Sequence, residues 1–373
     1  MIKIFSTNYL ANIFFLFLGL LTSNYAQSNS KFYLNIIINQ EYRDNIYRLP
    51  DSAKIGDYRL LSSIMVGYEF GNYKDQHFDF HYENRYQRYF HNHKYNRMEH
   101  YLNLKGTLFF GENTLNINNT ASLRNYKNNQ LENYFRNIIN VYYNLHFNTK
   151  LTGLAGYKNW IKTYPNDGIL QDYLSHRFFI KLNYQVDEST NLGIKTEYQW
   201  HKGNLYPYSS LFGSNNNLRG SRYQLELFGN KIFGKNLLID FVYKFESDQP
   251  DEINNQFNGE HQGDEETEDL ITEDADFDYM KHQITVSFLY KLLPDLSFFS
   301  FNVLQNKNFN HWKVNPTNDL RRDLLFYSSN IFKYKLWERW YLKIYLNAEL
   351  INSNFKYADY NLKTIGIGVQ FKF

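Results

Sequence analysis

No cysteine occurs in the 373 residues, so structural disulfides, thiolate metal sites, thiol catalysis and lipid attachment through an N-terminal cysteine are excluded. Proline is scarce, with six residues, and glycine is ordinary at 19, which removes collagen-like and low-complexity classes. Neither sign of charge dominates, since the formal net charge is +2. Beyond the N-terminus no apolar run approaches the roughly 20 residues of a transmembrane helix. There is no G-x-S-x-G nucleophile elbow, no EF-hand spacing and no helical repeat of about 34 residues. What abounds is aromatic: 34 Tyr and 32 Phe raise that fraction to 19%, while mean hydropathy stays at -0.59. A chain this aromatic and this hydrophilic has to alternate finely between the two characters.

The first residues have the layout of an export signal. Lys3 gives a positive start, Ile13 to Leu21 (IFFLFLGLL) is apolar, and Thr22 to Ala26 leads to a small residue. That run is too short to span a bilayer, so residues 1–26 are expected to be a cleaved signal peptide. Residues 27–373 are then expected to form one domain. If that domain crosses a membrane, it does so as strands.

Alternation recurs along the whole chain. Phe78, Phe80, Tyr82 and Tyr86 interleave with Asp79, His81, Glu83, Arg85 and Gln87. Phe178, Ile180 and Leu182 interleave with Arg177 and Lys181; Leu192, Ile194 and Tyr198 with Lys195 and Glu197; Tyr223, Leu225 and Leu227 with Arg222 and Glu226. Trp340, Leu342, Ile344 and Leu346 interleave with Lys343 and Asn347. A period of two with faces of opposite polarity is a strand between two media. Two segments are weak: Leu151 to Trp160, and the row Leu324, Phe326, Phe332, Leu336. The full set gives about 16 strands, with a range of 14 to 18.

Connections of two lengths take turns. Short ones fall at Gly71 to Lys74, Gly111 to Thr114, Asn148 to Lys150, Asp187 to Thr190, Gly234 to Asn236, Pro294 to Asp295 and Trp337 to Arg339. Long ones lie between them, including Asp44 to Gly56, Phe90 to Met98, Lys202 to Gly220, Asp248 to Asp278 and Asn306 to Arg321. An up-and-down barrel with short periplasmic turns and long extracellular loops requires this segregation. The polar face carries too many charges to bury in a soluble core. The expected fold is therefore all-β, a transmembrane antiparallel barrel with apolar side chains toward lipid and charged ones toward a wet interior. Trp160, Trp200, Trp337 and Trp340, near strand ends, suit the interfacial girdles.

The terminal segment YNLKTIGIGVQFKF, Tyr360 to Phe373, alternates strictly and ends on an aromatic residue. It resembles the C-terminal strand of bacterial outer-membrane β-barrels, read by the machinery that inserts them. The resemblance implies an insertion signal at Gly368, Phe371 and Phe373, although Gly366 stands where that pattern prefers a polar residue. The last hairpins, with Arg322 and Asp323, Ser353 and Asn354, then Tyr357, Asp359 and Tyr360, resemble barrels of surface-protein export factors. Those barrels also occur behind tetratricopeptide domains, which this chain does not contain. No N-terminal plug domain is recognisable either.

The candidate lumen-facing residues are Asp79, His81, Glu83, Arg85, Lys105, Arg136, Arg177, Lys181, Lys195, Glu197, Arg222, Glu226, Lys343 and Glu349. The stretch from Asp248 to Asp278 holds thirteen Asp and Glu and no Lys or Arg; without it the net +2 becomes +15. It reads as a solvated acidic extracellular loop, and no specific calcium site is assigned to it. A basic lumen would favour anions. His91, His93 and His100 fall in one expected loop, but no carboxylate or cysteine completes a metal set, so they read as solvated. No catalytic residue, metal or cofactor is assigned, and no enzyme activity is expected. The resulting reading is a porin-like outer-membrane channel of a Gram-negative envelope, passing small hydrophilic solutes by diffusion. Its expected partners are outer-membrane lipid, lipopolysaccharide and the barrel-assembly machinery, with a homotrimer left open and no nucleic acid. The alternative is a self-plugged surface barrel for adhesion or surface-protein assembly and export.

Overall fold

The structure is a computed structural model that describes residues 30–46, 55–72, 75–127, 133–165, 172–203, 219–250, 278–314, 319–355 and 358–373. The expected signal peptide, most of the acidic stretch and Tyr357 lie outside the described residues.

Sixteen strands follow one another in chain order. They are β1 (Lys31–Arg43), β2 (Asp57–Asn72), β3 (Gln76–Tyr89), β4 (Arg97–Phe110), β5 (Asn113–Tyr126), β6 (Tyr134–His146), β7 (Leu151–Thr163) and β8 (Tyr173–Asp187). The second half comprises β9 (Thr190–Gly203), β10 (Arg219–Phe233), β11 (Leu237–Pro250), β12 (Tyr279–Leu293), β13 (Leu296–Val314), β14 (Asp319–Trp337), β15 (Trp340–Ser353) and β16 (Tyr360–Lys372). Each pairs antiparallel with its sequence neighbours, and β1 pairs with β16 to close the barrel. The closing register runs from Asn35 opposite Lys372 to Arg43 opposite Thr364. Beyond it, Leu34 and Phe373 exchange backbone hydrogen bonds of 3.1 and 2.9 Å. A closed sheet leaves no open edge, which is what hydrocarbon demands.

Side-chain exposure follows the period of two. On β16, Ile365 and Ile367 are 56% and 52% exposed, while Thr364 between β1 and β15 is 8%. Phe178, Ile180 and Leu182 on β8 and Leu192 and Ile194 on β9 are likewise exposed. Large apolar side chains thus cover the outside. The polar rows face the concave side, where contacts skip a strand: Tyr33 on β1 donates to Asp79 on β3 at 2.7 Å, and Tyr345 on β15 to Asn39 on β1 at 3.3 Å. Strands two apart sit roughly 10 Å from one another, so such bonds form only on the inner side of a curved wall.

The strands have 13 to 19 residues, whereas about 9–11 suffice for a tilted strand to cross the bilayer. They therefore extend beyond the hydrocarbon. The short turns sit at the end that carries both barrel termini. Gly71 turns there with φ +114°, and a Cβ would approach the Gln76 carbonyl oxygen at 2.5 Å, so only glycine suits the position.

Two expectations change, and the weak row is explained. The loop expected over Asn306 to Arg321 is largely strand: β13 continues to Val314 and β14 starts at Asp319, with a register shift between Asn308 and Lys313. The weak row on β14 arises because Ser328 and Asn330 occupy outward positions. They do not stay orphaned, since Asn330 donates to Ser328 at 3.0 Å, Ser328 to Asn302 at 2.8 Å and Asn302 to Ser300 at 2.9 Å. Trp160 does not join an outer girdle. It stands opposite Ser175 on the concave side, 7% exposed, under the Arg177 guanidinium at 5.6 Å. Trp337 and Trp340 are exposed on the outside at the turn end, and Trp200 lies tilted against His176 with ring centres 5.6 Å apart.

Candidate functional site

The concave wall carries the chemistry, and its charges are distributed unevenly along the barrel axis. Toward the loop end the cations are matched. Arg59 meets Glu41 at 2.6 Å, Arg124 and Arg97 meet Glu99 at 2.5 and 3.2 Å, and Arg321 meets Asp323 at 2.7 Å. Arg222 and His201 converge on Asp248 at 2.7 and 3.3 Å. Glu246, fully buried, receives Lys244 and Lys281 at 2.9 Å each, with Arg222 at 3.7 Å and the Tyr279 hydroxyl. Aromatic rings complete this layer: Arg124 lies 4.7 Å from the Tyr134 ring, Lys307 3.9 Å from Tyr279 and Arg321 4.6 Å from Phe309. Buried charges require such partners, because an unpaired one costs several kcal/mol.

A cavity of about 360 Å³ opens on this wall between the first four strands and the last three. Arg43, Arg59, Arg85 and Arg97 line it, balanced by Glu41, Glu83, Glu99 and Glu349. The remaining lining mixes polar residues such as Ser63, Asn39, Asn347 and Thr364 with apolar and aromatic ones such as Ile37, Leu61, Leu362 and Tyr327. Glycine makes the closing seam beside it possible: a Cβ at Gly368 would lie 1.9 Å from Asn39 Oδ1 and 3.0 Å from the Ile38 carbonyl. Phe371 packs outward on Trp340 at 4.9 Å, and Phe373 lies under Arg339 at 4.3 Å.

Of the residues singled out in the sequence, Glu83, Arg85 and Glu349 line this cavity. Glu83 accepts from Arg85 and Ser63 at 2.8 and 2.6 Å, and Glu349 from the Tyr360 hydroxyl. Asp79 holds His81 and Lys105 at 3.6 Å each, nearer the turns. Arg177, Lys195, Glu197 and Glu226 form a chain: Arg177 meets Glu197 at 3.4 Å, and Lys195 meets Glu197 at 2.9 Å and Glu226 at 3.7 Å. Lys181 reaches over the Phe228 ring at 4.3 Å, Arg136 donates to Ser122 at 3.2 Å, and Arg222 belongs to the Asp248 cluster. Lys343 stands directly opposite Lys333. These groups therefore occupy several stations along the wall rather than one site.

Sequence reasoning missed Glu41, Arg43, Arg59, Arg97 and Glu99. They continue the inward rows beyond the alternating residues singled out for each strand, Arg97 inside the expected loop Phe90 to Met98, and extending the period of two by a few residues would have included them. The dipeptide Arg322-Asp323 also misleads, since adjacent strand residues face opposite ways. Asp323 takes its partner from Arg321, and Ser353 donates to it at 2.6 Å.

The histidines do not converge. His93 Nδ1 contacts the Tyr89 carbonyl at 3.1 Å, and His100 belongs to β4 and faces outward to the Tyr82 hydroxyl at 2.7 Å. His91 instead closes a latch at the loop end, contacting Asp57 through Nδ1 at 2.9 Å and through its backbone amide. Asn92 adds its amide and side-chain nitrogen to the same carboxylate at 2.8 and 2.9 Å. Burial pushes this carboxyl up, but the bonds from the Asn92 side chain, the His91 ring and the two backbone amides outweigh it and hold Asp57 at about 2. Among the described residues no group of three His, Cys, Asp or Glu is placed to hold a metal.

No family model and no curated protein matches this sequence. Solved structures do match it in fold. The outer membrane channel DcaP of Acinetobacter baumannii matches with a TM-score of 0.53 at 10% identity, over 93% of this chain and 99% of that one. OccAB4 of the same organism matches with a TM-score of 0.48 at 11% identity, over 94% and 100%. OpdO of Pseudomonas aeruginosa matches at 0.47 and 10% identity, over 94% and 98%. The likeness to DcaP shows the fold, a closed antiparallel β-barrel like that of an outer membrane channel, and the apolar exterior is the face such a barrel turns to lipid.

Proposed function

We propose that this barrel is a passive channel for small hydrophilic solutes, with a preference for anions. The observation that carries the reading is the inversion of polarity: exposed aliphatic and aromatic rows outside, and arginine, lysine and carboxylate rows on the concave wall around a cavity flanked by Arg and Glu side chains. Matched Arg–Glu pairs near the loops give that stretch little net field, so the preference rests on the lysines nearer the turns. Half-exposed Lys105, with 52% of its side chain in solvent, and Lys343 are the pore-lining residues best placed to act. In planar bilayers the purified protein is expected to give stepwise conductance, with reversal potentials in a salt gradient showing anion selectivity. Cation selectivity would remove the preference while leaving the channel.

A second reading has its own support. The charged and aromatic layer near the loops is buried, with Tyr89, Tyr279, His201, Glu246 and Asp248 at 0–1% exposure. This density suits a barrel closed by its own side chains and serving adhesion or surface-protein export. Absence of conductance steps from a natively folded preparation would favour it.

Three further assignments belong to the same proposal. Residues 1–26 are removed on export, which the N-terminal sequence of the mature protein tests. Gly368, Phe371 and Phe373 act as the insertion signal, so Phe373→Ser is expected to lower the yield of folded barrel in the membrane fraction. Assembly as a homotrimer is tested by native mass in detergent.

A further inference from the structure

Like charges directly opposite on neighbouring strands are destabilising, yet Lys333 on β14 stands opposite Lys343 on β15. Both face the concave side. Lys343 shares its row with Tyr345, which bonds Asn39 across β16. Lys372 joins them from β16, in the row of Gln370, whose side chain donates to Asn35 at 2.8 Å. Lys333 Nζ lies 4.2 Å and Lys372 Nζ 5.9 Å from the centre of the same Tyr341 ring, so both ammonium groups gather around one side chain. Lys333 and Lys372 both act electrostatically on Lys343. None of the three enters an ion pair among the described residues. Of the acids near them in sequence, Glu338 lies in the β14–β15 turn, Glu349 accepts from Tyr360 and Asp323 pairs with Arg321; Asp295, in the β12–β13 turn, pairs with none of the three. Like charges also stand opposite at Lys181 and Lys195 and at Lys281 and Lys307, but there Lys195 meets Glu197 and Lys281 meets Glu246 at 2.9 Å each; in this arc no carboxylate among the described residues meets any of the three lysines.

We propose that Lys333, Lys343 and Lys372 form an anion-binding site at the turn end of the lumen, for a small solute with two or more negative charges. This deepens the channel reading by naming a substrate class, and it rests on that reading for its transport role. A compact polyanion bridging β14, β15 and β16 converts mutual repulsion into charge-assisted hydrogen bonds. Because the lysines are partly solvated, the attraction is screened and weakens as salt rises.

The test uses the full chain in detergent at low ionic strength, with inorganic pyrophosphate as the probe and sucrose as the neutral control. Calorimetry is expected to show pyrophosphate binding and no sucrose binding. The double variant Lys333→Gln, Lys343→Gln is expected to weaken it by at least about tenfold, the equivalent of roughly 1.4 kcal/mol. Lys235→Gln, in the β10–β11 turn, is expected to leave it unchanged. If the double variant loses heat-modifiable gel migration, Lys343→Gln alone is read in the same way. Absence of binding by the wild-type protein, or equal affinity in the lysine variants, overturns the site. Calorimetry does not depend on conductance, so binding without current sinks the channel and keeps the site, whereas current without binding does the reverse.

Discussion

The two ends of the inner wall solve the same electrostatic problem in opposite ways. Near the loops, Glu246 alone gathers Lys244, Lys281, Arg222 and the Tyr279 hydroxyl, and the cluster is sealed from solvent. Near the turns, Lys333 and Lys343 face one another with no acid between them and partial access to water. The first arrangement gives rigidity, because each buried charge is held only by its partners. The second leaves positive charge available to something that is not part of the chain. The channel proposed above needs both: a wall that keeps its shape, and a surface that still has unsatisfied attraction.

The largest expected difference between the ends comes from removing a carboxylate. Glu246→Gln keeps the shape but leaves two lysines and an arginine without their shared anion in a sealed layer. Breaking such a buried set costs about 3–5 kcal/mol. Urea unfolding in lipid vesicles, followed by tryptophan fluorescence, is expected to show a loss of that order. A loss below about 1 kcal/mol would mean that water reaches the cluster and that the two ends are less different than their exposures indicate.

Much of this contrast could not be read from the sequence. The strand count and the apolar exterior were legible, because a period of two separates two media whatever the neighbours are. The alternation of short and long connections also marked the up-and-down order. What alternation does not carry is height along the axis and register between strands. Arg97 therefore looked like loop and Glu99 like its edge, although Glu99 pairs with both Arg97 and Arg124 and the two residues line the cavity. Trp160 looked like a girdle residue because strand-end tryptophans usually are, while its facing direction follows from pairing with Ser175. The Lys333–Lys343 opposition lies 10 residues apart in sequence, and only the β14–β15 turn geometry makes the two direct neighbours.

A mid-sized effect is expected at the loop end, in the Asp57 latch. Asp57→Asn leaves the His91 and Asn92 amides competing for a weaker acceptor, at a cost of about 1–3 kcal/mol. Limited proteolysis at the β1–β2 and β3–β4 loops reports it as faster cleavage. The pH dependence has a defined sign. The folded carboxyl sits at about 2, below its ordinary 3.8, so its contribution is complete above the ordinary value and disappears as pH falls through about 2. Protease-resistant loops at pH 5 and equal resistance at pH 2 would show that the latch does not hold them.

The smallest change, and the one that most sharpens the contrast, is Lys343→Gln. At the loop end, deleting a charge exposes its partners; here it removes a repulsion. The variant should unfold at the same urea concentration as the parent or slightly above it, by about 0.2–1 kcal/mol, the range for cross-strand charge pairs. The gain should shrink in high salt, since the repulsion it relieves is screened there. Destabilisation by Lys343→Gln would mean that the lysine has a partner within the chain, and the arc would then be one more matched cluster rather than an open one.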